Sequence, residues 1–136
     1  MNRKTLTNIL YWIAMAGIAV WFSYTKGWIL ADFESISPKQ AITLLKNDNN
    51  VTLLDVRTPR EFKSGHLKGA IAVPLGKLES RLDKLTPMKS TKILVYCRSG
   101  NRSVAASRIL KKHGFTPVNI KEGIVGLIRE KAEIVK

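Results

Sequence analysis

Cysteine is all but missing from this 136-residue chain. Cys97 stands alone, so no internal disulfide can staple the fold, and the cysteine count does not assign a redox compartment. Histidine is nearly as scarce. His66 and His113 are far apart, and with a single cysteine they offer no spacing that suits a metal ion. Both read as architectural, His113 in a last helical turn where partial positive charge suits the dipole. Acidic residues are few, 10 against 23 Lys and Arg, for a formal charge of +13. A surface of that kind attracts small anions or anionic lipid. Nucleic acid is disfavoured as a partner, because aromatics are sparse beyond the first thirty residues and no recognition-helix pattern stands out. Repeats and low-complexity tracts are absent too, and the roughly 100 residues that remain after the amino-terminal segment can build one modest core.

The same chain holds one long run without charge. Thr5 to Thr25 is 21 residues of mostly Leu, Ile, Ala, Val and aromatics, flanked by Arg3, Lys4 and Lys26. As a helix it spans roughly 31 Å, the thickness of a bilayer's hydrocarbon core. Trp21, Tyr24 and Trp28 gather at one end, as an interfacial belt would, with Tyr11 and Trp12 earlier. A cleaved secretory signal is the alternative, since Ala14-Met15-Ala16 has the small-x-small form. Cleavage there would leave Ile18 to Phe22 on the mature protein, so an uncleaved single-pass anchor over residues 1–31 is the favoured reading. The lipid partner is then met through residues 5–25. Positive charge is only slightly asymmetric about the run, tipping toward a cytoplasmic amino terminus and an outward-facing domain, and the side stays open. Residues 32–36 read as a linker and 37–136 as the folded domain. Without the three basic residues of its first 31, the chain retains a formal +10.

Cys97 opens the stretch Cys97-Arg98-Ser99-Gly100-Asn101-Arg102-Ser103. Lys92 to Tyr96 before it is the short β-branched and aromatic run of a buried parallel strand. After it, Val104, Ala105, Ile109 and Leu110 recur at helical spacing up to Gly114. The order strand, polar loop, helix puts Cys97 at a strand's carboxyl end and beside a helix amino terminus, where ligands of open α/β sheets bind. Loop N–H groups, the helix dipole, Arg98 and Arg102 all favour a thiolate there, and Gly100 and Asn101 tolerate the backbone angles of such a nest. A buried cysteine serving only as a small apolar residue is the bland alternative. A purely structural turn would not need two arginines, a glycine and two serines.

The rest alternates helix and strand, which predicts a parallel sheet covered by helices on both faces. Ser37-Pro38-Lys39-Gln40 is a capping-box start leading into Ala41, Leu44 and Leu45. Val51 to Val56 predicts a strand, Thr58-Pro59-Arg60-Glu61 a short helix ending near Gly65, and Ala70 to Val73 another strand. Leu75 to Leu85 carries a helical pattern through Leu78 and Leu82, and Val118 to Ile120 predicts a last strand.

These pieces together resemble the rhodanese-type sulfurtransferases. Besides the cysteine loop, Leu53-Leu54-Asp55-Val56-Arg57, Glu61-Phe62, Gly65-His66-Leu67, Gly69-Ala70 and Val73-Pro74 stand in that family's order, and the resemblance covers about Ile36 to Lys136. It implies a rhodanese-like α/β fold and a two-step displacement. Cys97 would take sulfur from a thiosulfate-like anion or a persulfide, then pass it to a thiol or cyanide, with no metal or organic cofactor. Arg98 and Arg102 are the candidates for holding the donor, or are solvated loop charges. Ser99 and Ser103 are candidates to hydrogen-bond sulfur, Ser103 alternatively only a helix cap, and Gly100 and Asn101 complete the binding loop. Asp55 and Arg57 are expected to support the loop from a second layer, or to form a structural ion pair. The loop is one residue too short for the phosphatase spacing, with Ser103 where arginine would stand, so phosphate hydrolysis is disfavoured. A non-catalytic module that docks a membrane partner or senses oxidation is the other alternative. One departure concerns the family's glycine pair and later tryptophan, because this chain has Glu122-Gly123-Ile124-Val125-Gly126-Leu127 in that region.

Overall fold

The computed structural model describes all 136 residues and divides them into two units, Met1–Ala31 and Asp32–Lys136. The first is a single helix, α1 (Arg3–Thr25), none of whose residues is buried. Between Leu6 and Phe22 its side chains are apolar except for Thr7 and Asn8. The helix is long and apolar enough to cross a membrane, a test of length and composition that an amino-terminal signal sequence also passes.

The second unit is a five-stranded parallel sheet. Its strands are β1 (Glu34–Ile36), β2 (Val51–Asp55), β4 (Ile71–Ala72), β5 (Lys92–Tyr96) and β6 (Thr116–Ile120), in spatial order β1-β6-β5-β2-β4. A two-residue antiparallel pair, β3 (His66–Leu67) with β7 (Ile134–Val135), lies outside it. The helices are α2 (Pro38–Asn47), α3 (Pro59–Lys63), α4 (Leu82–Leu85), α5 (Asn101–Lys112) and α6 (Gly123–Arg129).

Strand alternation divides the core. In β5, Ile93 and Val95 face one layer together with Leu54, Leu78, Leu85, Ala106 and Leu110, and Cys97 continues that row. Leu94 and Tyr96 face the other with Ala41, Val118, Ile120, Ile124 and Leu127. Thus α5 and the 75–88 segment cover one face, and α2 and α6 the other. Both capping boxes form: Gln40 N–H donates to Ser37 Oγ at 3.2 Å, Ser37 N–H to Gln40 Oε1 at 2.9 Å, and Thr58 with Glu61 does the same for α3.

Three expectations change. Residues 34–36 are not linker, because β1 pairs in register with Val118–Ile120 and forms the sheet's edge. Residues Leu75–Leu85 are not one helix but successive short turns, with 3-10 segments at Leu75–Lys77 and Glu79–Arg81 before α4 and another at Thr86–Met88. Leucine spacing reports which side chains face the core; Leu78 and Leu85 are indeed fully buried. It does not distinguish bonds to the third residue from bonds to the fourth. Finally, β6 begins at Thr116, before Pro117. β1 starts opposite Val118, so Pro117 has a partner strand on one side only, where it stands opposite Ile93 of β5.

Candidate active site

β5 is central in the sheet and delivers Cys97 to the carboxyl edge, where the loop turns into α5. The turn depends on Gly100, the residue before α5, with φ of 105°. A side chain there is strained in any case, and a Cβ would also come within 3.3 Å of the Glu122 backbone nitrogen. In this conformation Gly100 N–H donates to Cys97 Sγ at 3.1 Å, and Ser103 Oγ, fully buried in the first turn of α5, lies 3.6 Å from the sulfur.

The loop's carbonyls are held on its other side. Ile124 N–H donates to Cys97 O at 2.8 Å and Val125 N–H to Arg98 O at 3.3 Å, both from the first turn of α6. With those oxygens committed to α6, Gly100 N–H is the loop amide that reaches the sulfur. This contact requires Gly123. Its φ is 54°, and a Cβ would lie 2.3 Å from Cys97 O and 2.6 Å from Arg98 C. Glu122 adopts the same left-handed region at φ 61° without being glycine, and its carboxylate pairs with Arg129. Leu127 is fully buried in the α2 and α6 layer.

Asp55 and Arg57 form a buried pair. Arg57 Nη2 donates to Asp55 Oδ2 at 2.7 Å and to Gly65 O at 2.7 Å, while its own N–H reaches Asp55 Oδ1 at 2.9 Å. Burial works against the guanidinium charge, but bonding to Asp55 more than offsets it, so the Arg57 pKa is raised. Neither residue bonds to the cysteine loop. Arg57 instead packs over the Tyr96 ring at 5.6 Å, and Tyr96 Oη accepts from Leu67 N–H at 3.1 Å. Burial, then the Asp55 charge, pushes the Tyr96 phenol up, which keeps it neutral. The pair therefore braces the residue that precedes Cys97.

Arg102 departs from its expected place. Its guanidinium is bidentate on Glu61, Nη1 to Oε2 at 2.7 Å and Nη2 to Oε1 at 2.8 Å. It is tied to α3 through both terminal nitrogens. The physical reason is that a carboxylate matches the guanidinium fork in both geometry and charge. Arg98, exposed, forms no ion pair; Ser99 and Asn101 are exposed beside it. Glu61 was legible as the capping residue of α3 and as part of the Glu61-Phe62 motif, but nothing local announces a partner 41 residues away. The histidines are held locally: His66 stacks on Phe62 with centroids 3.7 Å apart and bonds Phe62 O through Nδ1, and His113 Nδ1 bonds Ile109 O.

The Arg102 bond, with the Thr58 bonds adding to it, lowers the Glu61 carboxyl from 4.5 to about 2. A depressed carboxyl pKa gives stability that is fully present above 4.5 and is lost as pH falls toward 2. The side chains are 29% and 34% exposed, so screening keeps the contribution small. Thermal midpoints measured from pH 5 to pH 2 are expected to fall less steeply for Glu61→Gln than for the native chain.

What the sheet and its cysteine loop define is an α/β domain of the rhodanese type. Residues 37–130 match the family model for the rhodanese-like domain, and the chain belongs to that family. It is 33% identical over 105 residues to a sulfurtransferase of Allochromatium vinosum, covering 76% of this chain and 92% of that one. Thiosulfate sulfurtransferase PspE of Escherichia coli is 32% identical over 80 residues, 59% of this chain and 77% of its own length. Among solved structures, a rhodanese-related protein from Thermoplasma volcanium matches with a TM-score of 0.69 at 31% identity, covering 76% of this chain and 98% of the other. Some curated relatives are longer, and the chain spans 42% of YrkF from Bacillus subtilis. These likenesses support sulfur transfer in general.

Proposed function

We propose that this chain is a membrane-tethered sulfurtransferase carrying sulfur as a Cys97 persulfide. The observation that carries the reading is the cradle in which Gly100 N–H donates to Cys97 Sγ at the amino terminus of α5. The Cys97 thiolate attacks the outer sulfur of thiosulfate. A bond from Sγ to that sulfur forms, the donor's S–S bond breaks, and its electron pair leaves with sulfite. A thiolate or cyanide then attacks the outer sulfur of the persulfide and returns the Cys97 thiolate. Negative charge stays on sulfur throughout, which is what prearranged amides at a helix start stabilise. Arg98 is the loop cation available to the donor, which enters past Arg98, Ser99 and Asn101. The test is intact-mass spectrometry of the full chain incubated with thiosulfate and no reductant. A gain of one sulfur is expected, and no gain overturns the reading.

One observation favours a second reading, a non-catalytic module that binds a partner or senses oxidation. Cys97 is only 1% exposed, so a donor reaches it only if the loop admits one. A small charged alkylating reagent separates the two. Catalysis expects labelling of the folded chain that thiosulfate slows; a docking module shows no such protection.

Tethering rests on the length and composition of α1. The full chain is expected to stay with the membrane through extraction at alkaline pH, with its amino-terminal residues present by mass. Release into the supernatant, or a mature chain lacking α1, would assign the segment to a signal instead.

A further inference from the structure

The cysteine loop carries two arginines, and the structure makes them unequal. Arg98 has no acidic partner. Arg102 is neutralised by Glu61 through two bonds of 2.7 and 2.8 Å. Glu61 is itself fixed, because its Oε2 also accepts from Thr58 N–H and Thr58 Oγ1, both at 2.9 Å. A carboxylate anchored at the start of α3 thus reaches across to the first turn of α5 and removes one positive charge from the donor's surroundings.

We propose that Glu61 is a specificity-determining residue, which by holding Arg102 leaves one unpaired cation in the loop and turns the site toward singly charged persulfide donors over dianionic thiosulfate. This rests on the sulfur-transfer reading and names its preferred donor. The chemistry balances without any oxidant. Cys97–S⁻ attacks the outer sulfur of R–S–S⁻, the new Sγ–S bond forms as the donor's S–S bond breaks, and R–S⁻ departs with the electron pair. Two negative charges meet in that step, against three when the donor is thiosulfate. A loop with one free guanidinium balances the former better.

The chain contains its own control for the substitution. In α2 the residue at the position of Glu61 is Gln40, which caps that helix in the same way. Glu61→Gln therefore keeps the cap of α3 and removes only the charge that holds Arg102. For the full chain, rates of Cys97 persulfide formation are measured by mass with a simple alkyl persulfide that carries no other charged group and with thiosulfate. The native chain is expected to favour the persulfide. Glu61→Gln is expected to shift the ratio of kcat/KM toward thiosulfate by roughly tenfold, mostly through KM, as one added unit charge near the surface would. Glu61→Gln with Arg102→Gln is expected to lose that shift. A ratio unchanged in Glu61→Gln, or a shift that persists without Arg102, overturns the proposal.

Binding separates this inference from the reading beneath it. The dissociation constant of thiosulfate is compared in Cys97→Ser chains with and without Glu61→Gln, and tighter binding with glutamine is expected. If the native chain gains no sulfur from either donor, the transfer reading falls; if binding does not tighten, the role of Glu61 falls.

Discussion

Replacing Cys97 with serine is expected to abolish the gain of sulfur while leaving the domain folded. Serine preserves the side chain's size and can still accept from Gly100 N–H, so the 97–103 turn keeps its bonds to α6. The hydroxyl enters a place lined on one side by Val95 and Ala106, and the cost should be on the order of 1 kcal/mol. Chemistry suffers far more. A serine hydroxyl is almost wholly protonated at neutral pH and does not hold transferable sulfur, so turnover with thiosulfate or persulfide should fall to background. Mass spectrometry after donor treatment checks the first part and a denaturant midpoint the second. Sulfur retained by the Cys97→Ser chain would place the carrier elsewhere, yet this chain has no other cysteine.

Gly123→Ala is expected to be the most damaging single methyl group in the molecule. The new Cβ would sit 2.3 Å from Cys97 O and 2.6 Å from both Arg98 C and Arg98 O, all of them backbone, with φ at 54°. No flexible side chain can move aside, so either the loop or α6 must shift. A shift breaks the Ile124 N–H bond to Cys97 O, and a left-handed alanine adds about 1–2 kcal/mol. The total loss should be on the order of 3–5 kcal/mol, a large part of what a domain of this size possesses. Denaturant unfolding reads that loss, and persulfide formation by any fraction that still folds should be slowed as well. Gly126→Ala gives the contrast: its Cβ would meet side-chain atoms of Pro38 and Glu122, so the cost should be smaller. Equal losses for the two would show that the contact with the cysteine loop is not special.

Local signals carried much of the architecture. Ser37 with Gln40, and Thr58 with Glu61, are caps written within four residues, and both form. Lys92 to Tyr96 is a buried strand because its apolar run is continuous, and continuity is visible without any partner. By contrast, β3 and β7 are two residues each and pair across nearly seventy positions, so no local pattern marks them. β1 is equally short, and its three residues pair with a strand some 84 positions later. Leu75 to Leu85 shows the intermediate case, in which spacing correctly marked the core-facing leucines and misled about the hydrogen bonding.

The site divides along the same line. The lone cysteine, its place between strand and helix, the glycine that lets the turn close and the surplus of basic residues are properties of the chain in order, and they determined the kind of chemistry to look for. Which arginine is free was decided only by folding, when Glu61 on α3 met Arg102 on α5. So too was the role of Gly123, whose missing side chain makes room for a backbone 25 residues earlier. Periodicity and capping act over a few residues and leave their trace in composition; ion pairing and steric contact act through space, and a sequence does not record the distance between segments that only the packed sheet brings together.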